Sequence, residues 1–149
     1  MAATSSRGGS TTFDLNQTTL IVNNVALNGF GDSDVMAIAR NSDDYSQTVG
    51  ADGEVVQSAL NDRSGTITIS LLYGSRHNAT LMDLVKADRA NNGGFTNLDW
   101  TDKRGLSTVS ARGRVMRVPD YTIGREAGVL EWAFLCPDID ADWQGLPQD

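Results

Sequence analysis

The chain has 149 residues, 40% of them hydrophobic and 21% charged, and its 19 acids against 12 Lys and Arg give a formal net charge of -7. That length suits one domain with a single buried core, and that composition excludes a wholly disordered chain. Excess acid argues against stable nucleic-acid binding, since phosphate affinity comes chiefly from Lys and Arg displacing counterions. The lone Cys136 excludes an internal disulfide or a cysteine-based metal site, and no apolar run has the length of a membrane span, so no membrane anchor is expected.

Residues 1–12 are rich in Ser, Thr and Gly. They lack the apolar stretch of a secretory signal, so they are expected to form a flexible arm on a protein made and assembled in the cytoplasm. Leu20 to Leu27 holds two apolar triplets around Asn23 and Asn24, a pair suited to a turn or bulge between short strands. The next strand is expected over Val35 to Arg40. Its entry, Asn28 to Asp34, gathers small turn formers with Asp32 and Asp34 and should be an exposed loop pinned by Phe30.

Past Asp43 and Asp44, Tyr45 to Val49 and Val55 to Leu60 flank Gly50, Ala51, Asp52, Gly53 and Glu54, residues that supply the positive φ angles of a hairpin connection. A second turn at Asn61 to Gly65 leads into Thr66 to Leu71, where period-two alternation buries Ile67, Ile69 and Leu71 on one face. The three runs together predict a meander. From Arg76 to Ala90 the period lengthens to about 3.6, with Leu81, Leu84, Val85 and Asp88 in phase and Met82 widening the stripe, which predicts an α-helix over about residues 78–90. Ser75 or Asn78 can cap it, and Asn91 to Gly94 can end it.

Phe95 to Thr101 and Leu106 to Val118 are expected strands joined by the charged turn Asp102 to Gly105. Gly113 marks a bulge among Arg112, Arg114 and Arg117, the densest basic group in the chain, and Pro119 stops the strand. In Val129 to Cys136, Leu130, Trp132, Phe134 and Cys136 share one face and should point into the core. Residues 138–149 hold four aspartates and are expected to be an acidic tail, with Trp143 docking on a neighbour. The expected organisation is an arm at 1–12, one β-rich domain at 13–137 and a tail at 138–149.

Catalytic groupings are missing. His77 is the sole histidine and has no nucleophile motif beside it. The pairs Asp32/Asp34 and Asp43/Asp44 and the run Asp138/Asp140/Asp142 lack the spacing and closing Glu of a calcium loop, and Gly29 and Gly31 lack the third glycine of a dinucleotide loop. No catalytic residue, metal or cofactor is expected.

The segments Asp43-Asp44-Tyr45-Ser46, Val49 to Val55 and Asn61 to Ile69, with Asn28 to Asp34 before them and Leu130 to Pro137 after, resemble the tail tube proteins of contractile-tailed phages. The resemblance runs from about Leu20 to Trp143. It implies a mainly β fold, a β-sandwich or partly closed β-barrel with one helix, and six copies per ring. Rings would stack into a hollow tube whose lumen is lined by strands of all six subunits. It further implies a sheath protein, a tape-measure protein, a baseplate and a tail terminator as partners, DNA passing through without stable binding, and location in the virion. Needle tubes of bacteriocins and injection devices share these features, and a free-standing ligand-binding β-sandwich is the reading from another class. On the tube reading, candidate contacts between subunits or rings are Gly50, Ala51, Asp52, Gly53 and Glu54, with Arg112, Arg114, Arg117 and Trp143. Candidate acidic lumen or loop residues are Asp32, Asp34, Asp43 and Asp44.

Overall fold

A computed structural model describes residues 13–27, 35–91, 93 and 95–145. After a short 3-10 turn at Leu15–Gln17, the described strands are β1 (Thr18–Val22), β2 (Val25–Ala26), β3 (Met36–Arg40), β4 (Tyr45–Val49), β5 (Val55–Ala59) and β6 (Gly65–Leu72). The helix α1 (His77–Asn91) follows, then β7 (Thr96–Asp102), β8 (Thr108–Val115) and β9 (Val129–Asp142). Seven strands form one antiparallel sheet in the order β2-β1-β7-β8-β9-β6-β3, while β4 and β5 pair only with each other. The protein is thus mainly β with one helix.

Local signals place the turns and the core. Asn23 and Asn24 adopt φ of 53° and 63°, a left-handed pair that asparagine tolerates, and they join β1 to β2 as expected. Ile67, Ile69 and Leu71 are fully buried in β6, and Trp132, Phe134 and Cys136 in β9 meet Leu20, Val22, Leu98 and Val109 in one core. Leu81, Leu84 and Val85 of α1 close that core from the side. The Ser75 hydroxyl accepts from the His77 amide at the helix start. Asn78 does something else: its amide donates to the Leu72 and Tyr73 carbonyls while its Oδ1 accepts from the Trp132 indole, pinning the helix entry to β9.

Three expectations on strand layout need correction. β6 does not continue a meander from β5. It pairs with β3 on one side and β9 on the other, so the β4–β5 hairpin is an excursion outside the main sheet. The strand expected from Leu106 to Val118 is shorter, because Leu106 is held at φ 61° in the turn and pairing with β9 ends near Val115. The last strand, in turn, does not stop at Cys136 but runs to Asp142, so part of the expected tail is sheet.

The cause is a bulge. Between Arg112 and Arg114 the register slips, with Arg112 opposite Asp138 and Arg114 opposite Leu135, so the extra residue lies in β9 around Cys136 and Pro137, across from Gly113. One inserted residue reverses which parity faces inward. Before it the even positions are buried; after it Ile139 is 2% exposed while Asp138, Asp140 and Asp142 face out. Gly113 has no room for a side chain, since a Cβ would lie 2.4 Å from the Leu135 carbonyl oxygen and 2.7 Å from the Cys136 Sγ.

The sheet folds over, sandwich-like, without closing into a barrel. Val35, Met36 and Ile38 at the β3 end line one cleft with Trp100 of β7, although β3 and β7 are far apart in strand order. Among the described residues, β2 and β3 are unpaired on their outer sides.

Candidate assembly surfaces

Every residue from Tyr45 to Ala59 is exposed. The register pairs Tyr45 with Ala59, Gln47 with Gln57 and Val49 with Val55, so these six side chains share one face; Ser46, Ser58, Thr48 and Val56 occupy the other. Tyr45 is 67% and Val49 60% exposed, and the Gln47 and Gln57 amides bond to each other at 3.0 Å between the apolar pairs. A lone two-stranded hairpin is marginal in water. An amphipathic one with its apolar face bare calls for a surface to cover it, and burying a Tyr or Val side chain is worth about 1.5 to 3 kcal/mol.

The tip is built by its own chemistry. The Gly50 amide donates to the Glu54 carbonyl, the Gly53 amide to the Gly50 carbonyl, and the Glu54 amide to the Asp52 carboxylate at 3.1 Å, with Gly53 at φ 89° where a side chain would strain the turn. At the base, the Leu60 amide donates to the Asp44 carbonyl and Arg40 pairs with the Asp44 carboxylate at 3.4 Å. The neighbouring Asp62 accepts from the Ser64 hydroxyl and amide and from the Ser42 hydroxyl, bonds that hold its carboxyl below the usual range and tie the loop after β5 to the loop after β3.

Among the described residues, a second bare apolar surface is the cleft. It has a volume of about 530 Å³ and is lined by Phe13, Leu15, Val35, Met36, Ile38, Trp100 and Trp143. Trp143 tilts against Trp100 with ring centroids 6.1 Å apart, yet stays 62% exposed; Phe13 and Leu15 are exposed too. The turn between β7 and β8 braces this end, because the Lys103 amide donates to the Gln17 carbonyl and the Gln144 amide to the Ser107 hydroxyl.

The basic group is largely engaged within the chain. Arg114 pairs with Asp88 of α1 at 3.3 Å, and the guanidinium groups of Arg112 and Arg114 each lie 4.8 Å from the Phe95 ring centroid. Arg117 makes a looser exposed pair with Asp120 at 3.8 Å. The Arg114 pair locks helix to sheet, which explains why Asp88 falls on the buried stripe of α1.

His77 opens α1 and is buried, and burial pushes the Cys136 thiol up to about 11, so it stays protonated at neutral pH. Among the described residues no cluster of three His, Cys, Asp or Glu could hold a metal ion, and no helix is long and apolar enough to cross a membrane.

The model of the family described as the Bacteriophage PhiTE tail tube protein matches residues 18–143. The chain belongs to this phage tail tube family. It is a structural subunit of the tail tube. No curated protein sequence matches it. Among solved structures, the tube subunit is similar to a chain of an extracellular contractile injection system, the PVC sheath-tube complex in its extended state. That match has a TM-score of 0.63 at 12% identity, over 96% of this chain and 99% of that one. A chain of the anti-feeding prophage cap, the AFP tube terminating cap, gives 0.63 at 9% identity over 95% and 99%. A chain of the PVC sheath/tube terminator in the extended state gives 0.59 at 13% over 89% and 98%. At these identities the likeness shows a shared fold.

In the tube subunit, Gly50 to Glu54 stand at the tip of the exposed hairpin, Asp43 and Asp44 at its base, and Asp32 and Asp34 lie outside the described residues. Trp143, expected to seek a neighbour, is seated at the cleft mouth against Trp100. The cleft itself is not visible in the sequence, since its walls come from residues 13, 15, 35, 36, 38, 100 and 143. The one signal in the sequence is the alternation of Asp138, Ile139, Asp140, Ala141 and Asp142, which continues β9 up to Trp143.

Proposed function

We propose that six copies of this chain form a ring and that rings stack into a hollow conduit inside a contractile sheath, through which DNA is ejected. The observation that carries this reading is the β4–β5 hairpin, exposed at every residue and amphipathic, on a chain whose family builds tubes. A surface that is distinct from the site it meets makes a heterologous contact, which closes rings or extends filaments. The outer sides of β2 and β3, unpaired among the described residues, offer a second, edge-to-edge contact.

On this reading the hairpin tip Gly50 to Glu54 bridges rings, residues 1–12 act as an arm, and Arg112 and Arg117 meet acids such as Asp43 of the next copy and set register. Arg114 is taken up by Asp88. A net charge of -7 favours a wall that DNA passes without sticking, with repulsion screened beyond about 8 Å at physiological salt. The tube has no catalytic task, and it assembles in the host cytoplasm on a baseplate, around a tape-measure protein and under a terminator. The sheath and terminator are favoured by the complexes from which the similar folds come. Those complexes also favour a second reading, the inner tube of an injection device, which places the same demands on the subunit.

The test is electron microscopy with light scattering over a concentration series, on the intact chain and on versions lacking residues 2–12 or the tip 50–54. Uniform hollow tubes from the intact chain, with folded but poorly polymerising truncations, are expected. Normal tubes from both truncations would refute the roles given to arm and tip, and a strict monomer of the intact chain at every concentration would refute the tube.

A further inference from the structure

Among the described residues, the hairpin and the cleft are two bare apolar surfaces on one molecule. They do not meet within it, since the cleft is lined without any hairpin residue and the hairpin is exposed throughout. We propose that in the assembled tube the cleft of one copy, walled by Leu15, Met36, Ile38, Trp100 and Trp143, receives the apolar face of the β4–β5 hairpin of a second copy. This rests on the tube reading above and names the surface that the hairpin meets.

The chemistry of the two sides matches. The hairpin face presents Tyr45, Val49, Val55 and Ala59 around the Gln47 and Gln57 amides, which bond to each other, and the cleft is walled by aliphatic and aromatic side chains with room for several such groups in its volume of about 530 Å³. Charge matches as well. The tip beside Val49 and Val55 carries Asp52 and Glu54, whereas the turn that braces the cleft carries Lys103 and Arg104, with Lys103 held against Gln17 and Ser107 against Gln144. A negative tip entering beside a positive turn fixes which way the hairpin lies, which apolar contact alone does not. Each copy gives one hairpin and receives one, so the contact propagates head to tail.

The experiment compares dispersed and assembled wild-type protein by tryptophan emission and acrylamide quenching. Trp132 is buried with its indole bonded to Asn78 and serves as the constant background. Assembly is expected to shift the emission to shorter wavelength and to cut quenching several-fold as Trp143 is covered. In parallel, V49C and L15C chains are mixed, assembled and treated with a short bis-maleimide; linked dimers containing one chain of each kind are expected, and the buried Cys136 gives no background. Tubes whose tryptophans stay open to quencher and which yield no mixed dimer overturn the proposal and leave the tube reading standing. Trp143 shielded already in dispersed protein means that the chain's own residues fill the cleft, which also overturns it. A wild-type chain that forms no tubes sinks both.

Discussion

β6 and the β4–β5 hairpin are neighbours in sequence and opposite in circumstance. β6 sits between β3 and β9, with Ile67, Ile69 and Leu71 wholly buried, whereas Val49 and Val55, which share one face of the hairpin with Gln47 and Gln57, remain 60% and 49% exposed. Apolar residues on a strand face therefore mark a strand, but not that the face is covered within its own chain. The fold of the subunit rests on β6, β8, β9 and α1; the hairpin, exposed throughout, contributes to it little and on the proposed reading serves assembly.

Substitutions can separate these two roles, and the largest expected effect is in the core. Phe134→Ala removes a fully buried ring and should cost about 3 to 5 kcal/mol, seen as a lower denaturant midpoint, and tubes should be lost with the fold. Gly113→Val forces a side chain against the Leu135 carbonyl and should cost about 1 to 3 kcal/mol by the same measurement. Arg114→Ala breaks the partly exposed Asp88 pair and the Phe95 contact, for a loss of about 1 kcal/mol or less that shrinks further in high salt. Smallest for the monomer is Val49→Ser with Val55→Ser, where stability should change by less than about 0.5 kcal/mol while the critical concentration for assembly rises. If that double change melts the monomer as Phe134→Ala does, the contrast between the two regions is wrong.

Much of the core was legible because its signals are local. The Asn23-Asn24 turn, the period-two stripe of Ile67 and Ile69, the helical stripe ending at Asp88 and the inward face of Trp132 and Phe134 each lie within a few residues of one another. Strand order was not, because pairing β6 with β9 joins Gly65 to Cys136 across about half of the chain, and no local pattern states it. The extension of β9 was hidden by the bulge at Cys136 and Pro137. Read in one phase, Asp138 to Asp142 is an acidic run; read in the phase the bulge sets, it is a strand with Ile139 inward. For the assembly surfaces, the hairpin and its tip were visible, and the basic group was visible without its partners: Asp88 lies on another element, 26 positions from Arg114.

The most direct test of the contrast is amide hydrogen exchange on the wild-type chain before and after tube formation. Amides of Tyr45 to Ala59 should exchange fast in dispersed protein and become protected in tubes, while those of Ile67 to Leu71 stay protected in both. A hairpin as protected as β6 before assembly, or still unprotected in tubes, would contradict the account.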